Sequence, residues 1–160
     1  MNCSSCGAAM RMVDGRNYFV CDYCSSFHFL ESPSELTVLD DARGPDCPIC
    51  RQPLAGGALL GQRVQTCRKC RGVLIPNAVF GGVIKTLRAK YAGERETPRP
   101  IAPSEFERRI DCPRCARTME THPYYGPGGV VIDTCASCGL IWLDTGEIGA
   151  IERAEGAVWR

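Results

Sequence analysis

The sequence predicts a small metal-stabilised β/α fold: three tandem four-cysteine ribbons, with helices after the second and third. Three observations predict it. All twelve cysteines fall into six C-x-x-C pairs: Cys3/Cys6, Cys21/Cys24, Cys47/Cys50, Cys67/Cys70, Cys112/Cys115 and Cys135/Cys138. In order, the pairs form three blocks with inner spacers of 14, 16 and 19 residues. The blocks also share an apolar pattern outside the cysteines. After the first pair of each stands a long apolar residue: Met10, Leu54 or Met119.

Two C-x-x-C turns separated by a short spacer are the ligand pattern of a structural zinc site with four thiolates. Each block spans only 22 to 27 residues between its outer cysteines. So short a unit cannot bury enough apolar surface to fold unaided, and bound metal supplies the missing stability. The expected cofactor is Zn2+, three per chain, and iron is the competing metal for a four-thiolate site. Paired thiols also serve as disulfides or as redox centres. The chain begins Met1-Asn2-Cys3 without an apolar leader, and no run is long enough to cross a membrane. A cytoplasmic location is therefore expected, and there thiols stay reduced. Redox use is disfavoured because six pairs occur without a βαβ pattern.

Taken along the chain, the first ribbon covers 1–30. Its extended segments are Tyr18-Phe19-Val20 and Phe27-His28-Phe29. An acidic stretch, 31–45, reads as a linker. The second ribbon, 46–75, has Arg63 to Thr66 and Val73-Leu74-Ile75 in the same places. The third, 111–144, has Val131 to Thr134 and Ile141-Trp142-Leu143. These are β-branched, aromatic and aliphatic residues, which suit strands. Gly7, Gly72 and Gly139 lie just past a cysteine pair, where a turn can require positive φ.

Helices are expected at 76–93 and 145–160. Pro76 suits a first turn, and Val79, Phe80, Val83, Ile84, Leu87 and Tyr91 line one helical face. Asp144-Thr145-Gly146-Glu147 reads as a capping box opening a helix from Thr145 to about Val158. Between the helix and the third ribbon, 94–110 holds three prolines in E-R-E-T-P-R-P-I-A-P-S and reads as an extended spacer. Such a spacer would let each ribbon fold around its own metal and let the third move.

In the third ribbon, C-P-R-C-A-R-T-M and then C-A-S-C-G-L-I-W-L-D-T-G-E-I resemble the bacterial zinc-finger family named after the transcription factor IIB zinc ribbon. That family shows C-P-x-C near its start and C-x-x-C-x-G-x-W-L-D-x-G-E-L near its end. Residues 111–151 match in order, with Leu140 for the usual second glycine and Ile148 for the leucine. The second ribbon keeps Cys47-Pro48 and Gly72 but has Leu74, Ile75 and Pro76 where W-L-D is usual. The first keeps only its cysteines and strand character. The resemblance implies zinc binding and a ribbon fold; it implies little about activity, because such ribbons serve as adaptors for nucleic acids or proteins.

With every cysteine paired, no thiol is left as a nucleophile. No acid/base pair or phosphate-cradling glycine motif is evident, so no catalytic residue and no small-molecule substrate are expected. His28 falls in the register of Leu74 and Trp142 and reads as a packed ring; His122, before Pro123, reads as solvated. Trp142 and Leu143 offer either a docking surface or packing against the last helix. Charge is uneven about a net of +1. Residues 1–45 carry three positive and six negative side chains, 46–109 twelve and five, and 110–160 four and seven. The basic run Arg63, Arg68, Lys69, Arg71, Lys85, Arg88 and Lys90 could follow phosphates or form an ordinary charged face. The leading expectation is a non-enzymatic adaptor for a protein partner in a transcription-linked assembly. The alternative is nucleic-acid binding through the basic middle, and thiol redox or metal relay ranks third.

Overall fold

The computed structural model describes residues 1–12, 18–24, 27–29 and 36–156. The chain divides into two compact units, Met1–Ser34 and Glu35–Arg160. The smaller unit is the first ribbon. Its strands β1 (Arg11–Met12), β2 (Tyr18–Val20) and β3 (Phe27–Phe29) form an antiparallel sheet in that order. Phe19 lies opposite both Met12 and His28. His28 is exposed, not packed as its repeat position suggests. An exposed Arg11–Asp22 ion pair links β1 to the second cysteine turn. At such exposure it contributes little to stability.

The larger unit holds both remaining ribbons in one sheet. Its strands are β4 (Leu36–Asp46), β5 (Pro53–Leu59), β6 (Gln62–Thr66) and β7 (Val73–Pro76). Helix α1 (Asn77–Lys90) follows, and then β8 (Glu120–Pro123), β9 (Val131–Cys135), β10 (Leu140–Leu143) and α2 (Glu147–Arg153). The strand order is β4-β5-β6-β7-β10-β9-β8, and every pairing is antiparallel. Ribbon two (β5-β6-β7) and ribbon three (β8-β9-β10) thus join through β7 and β10 in mirrored order.

Three expectations are corrected by this arrangement. Of the supposed linker 31–45, residues 36–45 belong to the eleven-residue strand β4. Their second half, D-D-A-R-G-P, suggests turns, but the strand pairs with β5 along its length: Thr37 with Ala58, Val38 with Gly57 and, past a register shift, Ala42 with Ala55. Ribbons two and three are not independent, because four residue pairs join β7 to β10. Nor is 94–110 a free spacer. The Glu96 N–H donates to the Arg153 carbonyl, the Glu155 N–H donates to the Glu96 carbonyl, and Glu96 bridges Ala154. Arg95 donates to the carbonyls of Glu152 (2.6 Å) and Arg88 (2.8 Å), and a 3-10 turn occupies Pro103–Phe106.

One face of the sheet carries the core. Leu59, Val64, Val73, Ile75, Ile132, Ile141 and Leu143 meet Phe80, Val83, Ile84 and Leu87 of α1 and Ile151 of α2. Fully burying each such side chain contributes roughly 1.5–3 kcal/mol. Of the helical spacing read from sequence, Phe80, Val83, Ile84 and Leu87 form the face α1 buries, and Val79 is partly buried beside them. Tyr91 is extended and lies past the helix, which ends at Lys90 and not at 93, while Gly81 and Gly82 sit on its exposed side. Pro76 is extended and caps α1 from outside. Helix α2 is shorter than expected: Ala154 is already extended, and the expected extension to Val158 runs beyond the described residues. The capping box is present in part, with the Asp144 N–H donating to Glu147 Oε2 at 2.8 Å.

Candidate metal centres

Four of the C-x-x-C pairs, Cys3/Cys6, Cys47/Cys50, Cys67/Cys70 and Cys112/Cys115, sit on tight turns held by the same backbone bonds. The N–H four residues after the first cysteine donates to that cysteine's carbonyl: Gly7 to Cys3, Arg51 to Cys47, Arg71 to Cys67 and Ala116 to Cys112, at 2.8–3.0 Å. The first cysteine's own N–H donates to the carbonyl five residues on: Ala8, Gln52, Gly72 or Arg117. The residue after the second cysteine has positive φ in five turns: Gly7 (78°), Arg51 (60°), Arg71 (56°), Ala116 (60°) and Gly139 (62°). Two are glycines, and the others adopt a conformation costly for residues with a Cβ. Gly72, expected to need positive φ, does not have it. Its requirement is space, because a Cβ there would lie 2.1 Å from Cζ2 of Trp142.

These turns bring the twelve sulfurs into three groups: Cys3, Cys6, Cys21 and Cys24; Cys47, Cys50, Cys67 and Cys70; and Cys112, Cys115, Cys135 and Cys138. Within each group all sulfurs lie within 4.8 Å of one another. Sulfur–sulfur separations include 3.5 Å for Cys3–Cys24 and Cys6–Cys21, 3.7 Å for Cys47–Cys70 and 3.6 Å for Cys115–Cys135. A disulfide needs about 2 Å. Four sulfurs about 2.3 Å from one tetrahedral zinc lie about 3.8 Å apart, so the donor sets fit zinc and not disulfides. Backbone N–H groups of Ile49 and Cys50 point at Cys47 Sγ, and that of Cys70 at Cys67 Sγ, as suits thiolates. Crowding divides the second group's acidities. Hydrogen bonds from Cys47 and Cys70 hold Cys67 well below the usual thiol range. The neighbouring thiols Cys47 and Cys67, with burial, push Cys70 far up. A divalent cation removes that conflict by holding all four as thiolates.

Each group is a closed four-thiolate zinc ribbon, one metal per ribbon. Residues 111–154 match the family described as transcription factor zinc-finger, the transcription factor IIB type. No curated protein and no solved structure matches the chain.

The other candidate residues separate. Trp142 is 0% exposed and cannot dock a partner. It stands opposite Leu74, over Gly72, and its indole N–H donates to Asp144 Oδ1 at 3.1 Å. Arg88 is buried, so it does not belong to a phosphate-tracking run. It donates to the carbonyls of Ile151 (2.5 Å) and Ala154 (2.9 Å), which end α2. Burial, then the nearby charge of Arg95, lowers its pKa. Arg68, Lys85 and Lys90 are exposed; Lys69 and Arg71 are half-buried on the second turn of ribbon two. The run is therefore interrupted, and Arg95 and Arg108 also spend their charge inside the unit. His122 is half-buried in β8, with Nε2 3.1 Å from Thr134 Oγ1 and its ring stacked on Tyr125 at 5.4 Å. It is not a free loop side chain.

Sequence reasoning missed a buried polar cluster beside the third centre. Asp133 is fully buried in β9 and accepts from Arg108 and from Thr121 Oγ1 at 2.6 Å. Arg108 also donates to Asp144 at 2.5 Å. Burial alone would lower the Arg108 pKa, but the carboxylates of Asp144 and Asp133 outweigh it and raise it. The one signal in the sequence is an aspartate inside the apolar run V-V-I-D-T-C.

Proposed function

We propose that the protein is a non-enzymatic zinc-ribbon adaptor that docks a protein partner along β4. The observation that carries this reading is the edge of the seven-stranded sheet. Strand β4 is terminal in the strand order, and Val38 and Leu39 on it are 45% and 55% exposed. Residues Leu36–Val38 pair regularly with β5 before two register shifts bend the rest of the strand. A sheet edge with exposed apolar side chains is what strand addition by a partner uses, and monomeric proteins usually blunt such edges.

The non-enzymatic reading is supported by the use of every thiol in a closed four-sulfur group, which leaves no open metal position of the kind catalytic zinc keeps. Thiol-only sites favour a reducing, cytoplasmic compartment. The family matched by residues 111–154 carries the description of a transcription factor zinc finger, which supports a transcription-linked assembly. Nucleic-acid binding through the original basic run loses support from the interior placement of Arg88.

A photo-crosslinking residue at position 38, with a control at exposed Lys85 on α1, tests the reading in the source cells. Discrete protein adducts from position 38 and none from 85 are expected. Adducts to nucleic acid alone, or none from 38, would overturn it.

A further inference from the structure

The face of the sheet opposite the helices bears a concavity of about 790 Å³ that spans both ribbons. Its floor is aliphatic: Leu74 and Pro76 of β7 and Leu140 of β10. Around it stand three arginines from three places in the chain: Arg43 on β4, Arg63 on β6 and Arg114 in the first cysteine turn of ribbon three. All three are exposed. Asp41 also lines the concavity, with its carboxylate 3.7 Å from Arg43, a weak and solvated pair.

Charge segregation along the chain hides this grouping. Arg43 falls in the acidic first third and Arg114 in the acidic last third, while Arg63 is in the basic middle. Only the antiparallel joining of β7 to β10 brings them around one floor. The register explains the continuity: Gly56 pairs with Gln65, Gln65 with Leu74, and Leu74 with Trp142, a row that crosses from ribbon two to ribbon three. Gly56 and Gln65 line the same concavity.

We infer that this groove, lined by Arg43, Arg63 and Arg114 over Leu74, Pro76 and Leu140, receives an acidic peptide segment of the protein partner. The inference rests on the adaptor reading and gives its partner a chemistry. Guanidinium groups match carboxylates in planar, two-point geometry. An aliphatic floor suits the apolar side chains that alternate with acidic ones in an extended peptide. A single strand of nucleic acid fits less well, because among the described residues no aromatic side chain lines the groove to stack a base.

The test is fluorescence anisotropy with the full-length, zinc-loaded protein. Its probes are a labelled peptide of alternating glutamate and valine, the same peptide with glutamine for glutamate, and labelled oligothymidylate. The glutamate peptide should bind, and more weakly as salt rises. Changing Arg63→Gln together with Arg114→Gln should weaken it by about tenfold with zinc content unchanged. Lys85→Gln on α1 should change nothing. Three results would overturn the inference: equal binding of the glutamine peptide, indifference to the arginine changes, or tighter binding of oligothymidylate through the same arginines. The first two leave docking on β4 standing, because position 38 reads that edge separately. Loss of the crosslink from 38 with peptide binding intact would instead sink the edge reading alone.

Discussion

Leu74 and Trp142 hold the same place in the second and third ribbons, and they face each other directly across the β7–β10 pair. Val73 then lies opposite Leu143 and Ile75 opposite Ile141. A local two-fold axis therefore passes between Leu74 and Trp142 and relates β5-β6-β7-α1 to β8-β9-β10-α2. The contact has the form of a symmetric dimer interface built into one chain.

Zinc content is the first expectation. Elemental analysis of the reduced protein should give three zinc ions per chain, one for each sulfur group. Because the ligands are thiolates, binding should release protons, and affinity should fall as pH falls. Two metals or fewer per chain at neutral pH would show that one group does not load.

Loss of one ligand should reach beyond its own ribbon. Cys135→Ser is expected to remove amide protection from β8, β9 and β10 and also from β7, whose outer partner is β10. The first ribbon, a separate compact unit, should keep its protection. Hydrogen exchange that spares β7 while β10 opens would contradict the shared sheet.

Gly72 and Trp142 should behave as a coupled pair. Gly72→Ala forces a methyl group into the indole and is expected to cost about 1–3 kcal/mol. Adding Trp142→Leu should recover part of that loss, because the smaller side chain clears the space. Additive losses in denaturant unfolding would show that the two do not meet.

Arg108 should matter through the charge it neutralises. Arg108→Met leaves Asp133 buried and without its cation. The side chain of Arg108 is 32% exposed, so the expected cost is about 2–3 kcal/mol, below that of a wholly buried pair. Asp133→Asn in the same background should restore stability in part. A single substitution of Arg108 with no effect on the unfolding midpoint would show that water solvates Asp133.

Arg88 provides a contrast between structural and binding charge. Arg88→Gln removes donors from the carbonyls of Ile151 and Ala154 and is expected to lower stability by about 1–3 kcal/mol. Affinity for any polyanion should stay unchanged. A salt-dependent loss of binding without loss of stability would return Arg88 to the surface.

The metal centres were legible because sulfur chemistry is local: a C-x-x-C turn presents both thiolates whatever surrounds it. The face of α1 was legible because Phe80, Val83, Ile84 and Leu87 recur at helical spacing. The union of the ribbons was not, since β7 and β10 are separated by 63 residues (77–139) and neither strand's composition names its partner. Strand β4 was hidden by the turn-forming residues of its second half, which follows β5 only through two register shifts. Trp142 left two readings open, and only its place over Gly72 decides between them. Arg88 read as surface charge, and Arg108 was not singled out, because a sequence does not reveal which arginine finds carbonyls or carboxylates in the interior.

The strand pair at the centre of the sheet also ties two metal equilibria together. Ribbon three orders β10 when it takes its ion, and β10 is the template on which β7 of ribbon two is aligned. Filling one centre should raise the affinity of the other, and by thermodynamic reciprocity the reverse holds. As zinc becomes scarce, these two ribbons are expected to empty together, while the first follows its own course. A stepwise zinc titration followed by mass spectrometry would reveal this as a depleted population of chains with one of the paired centres filled.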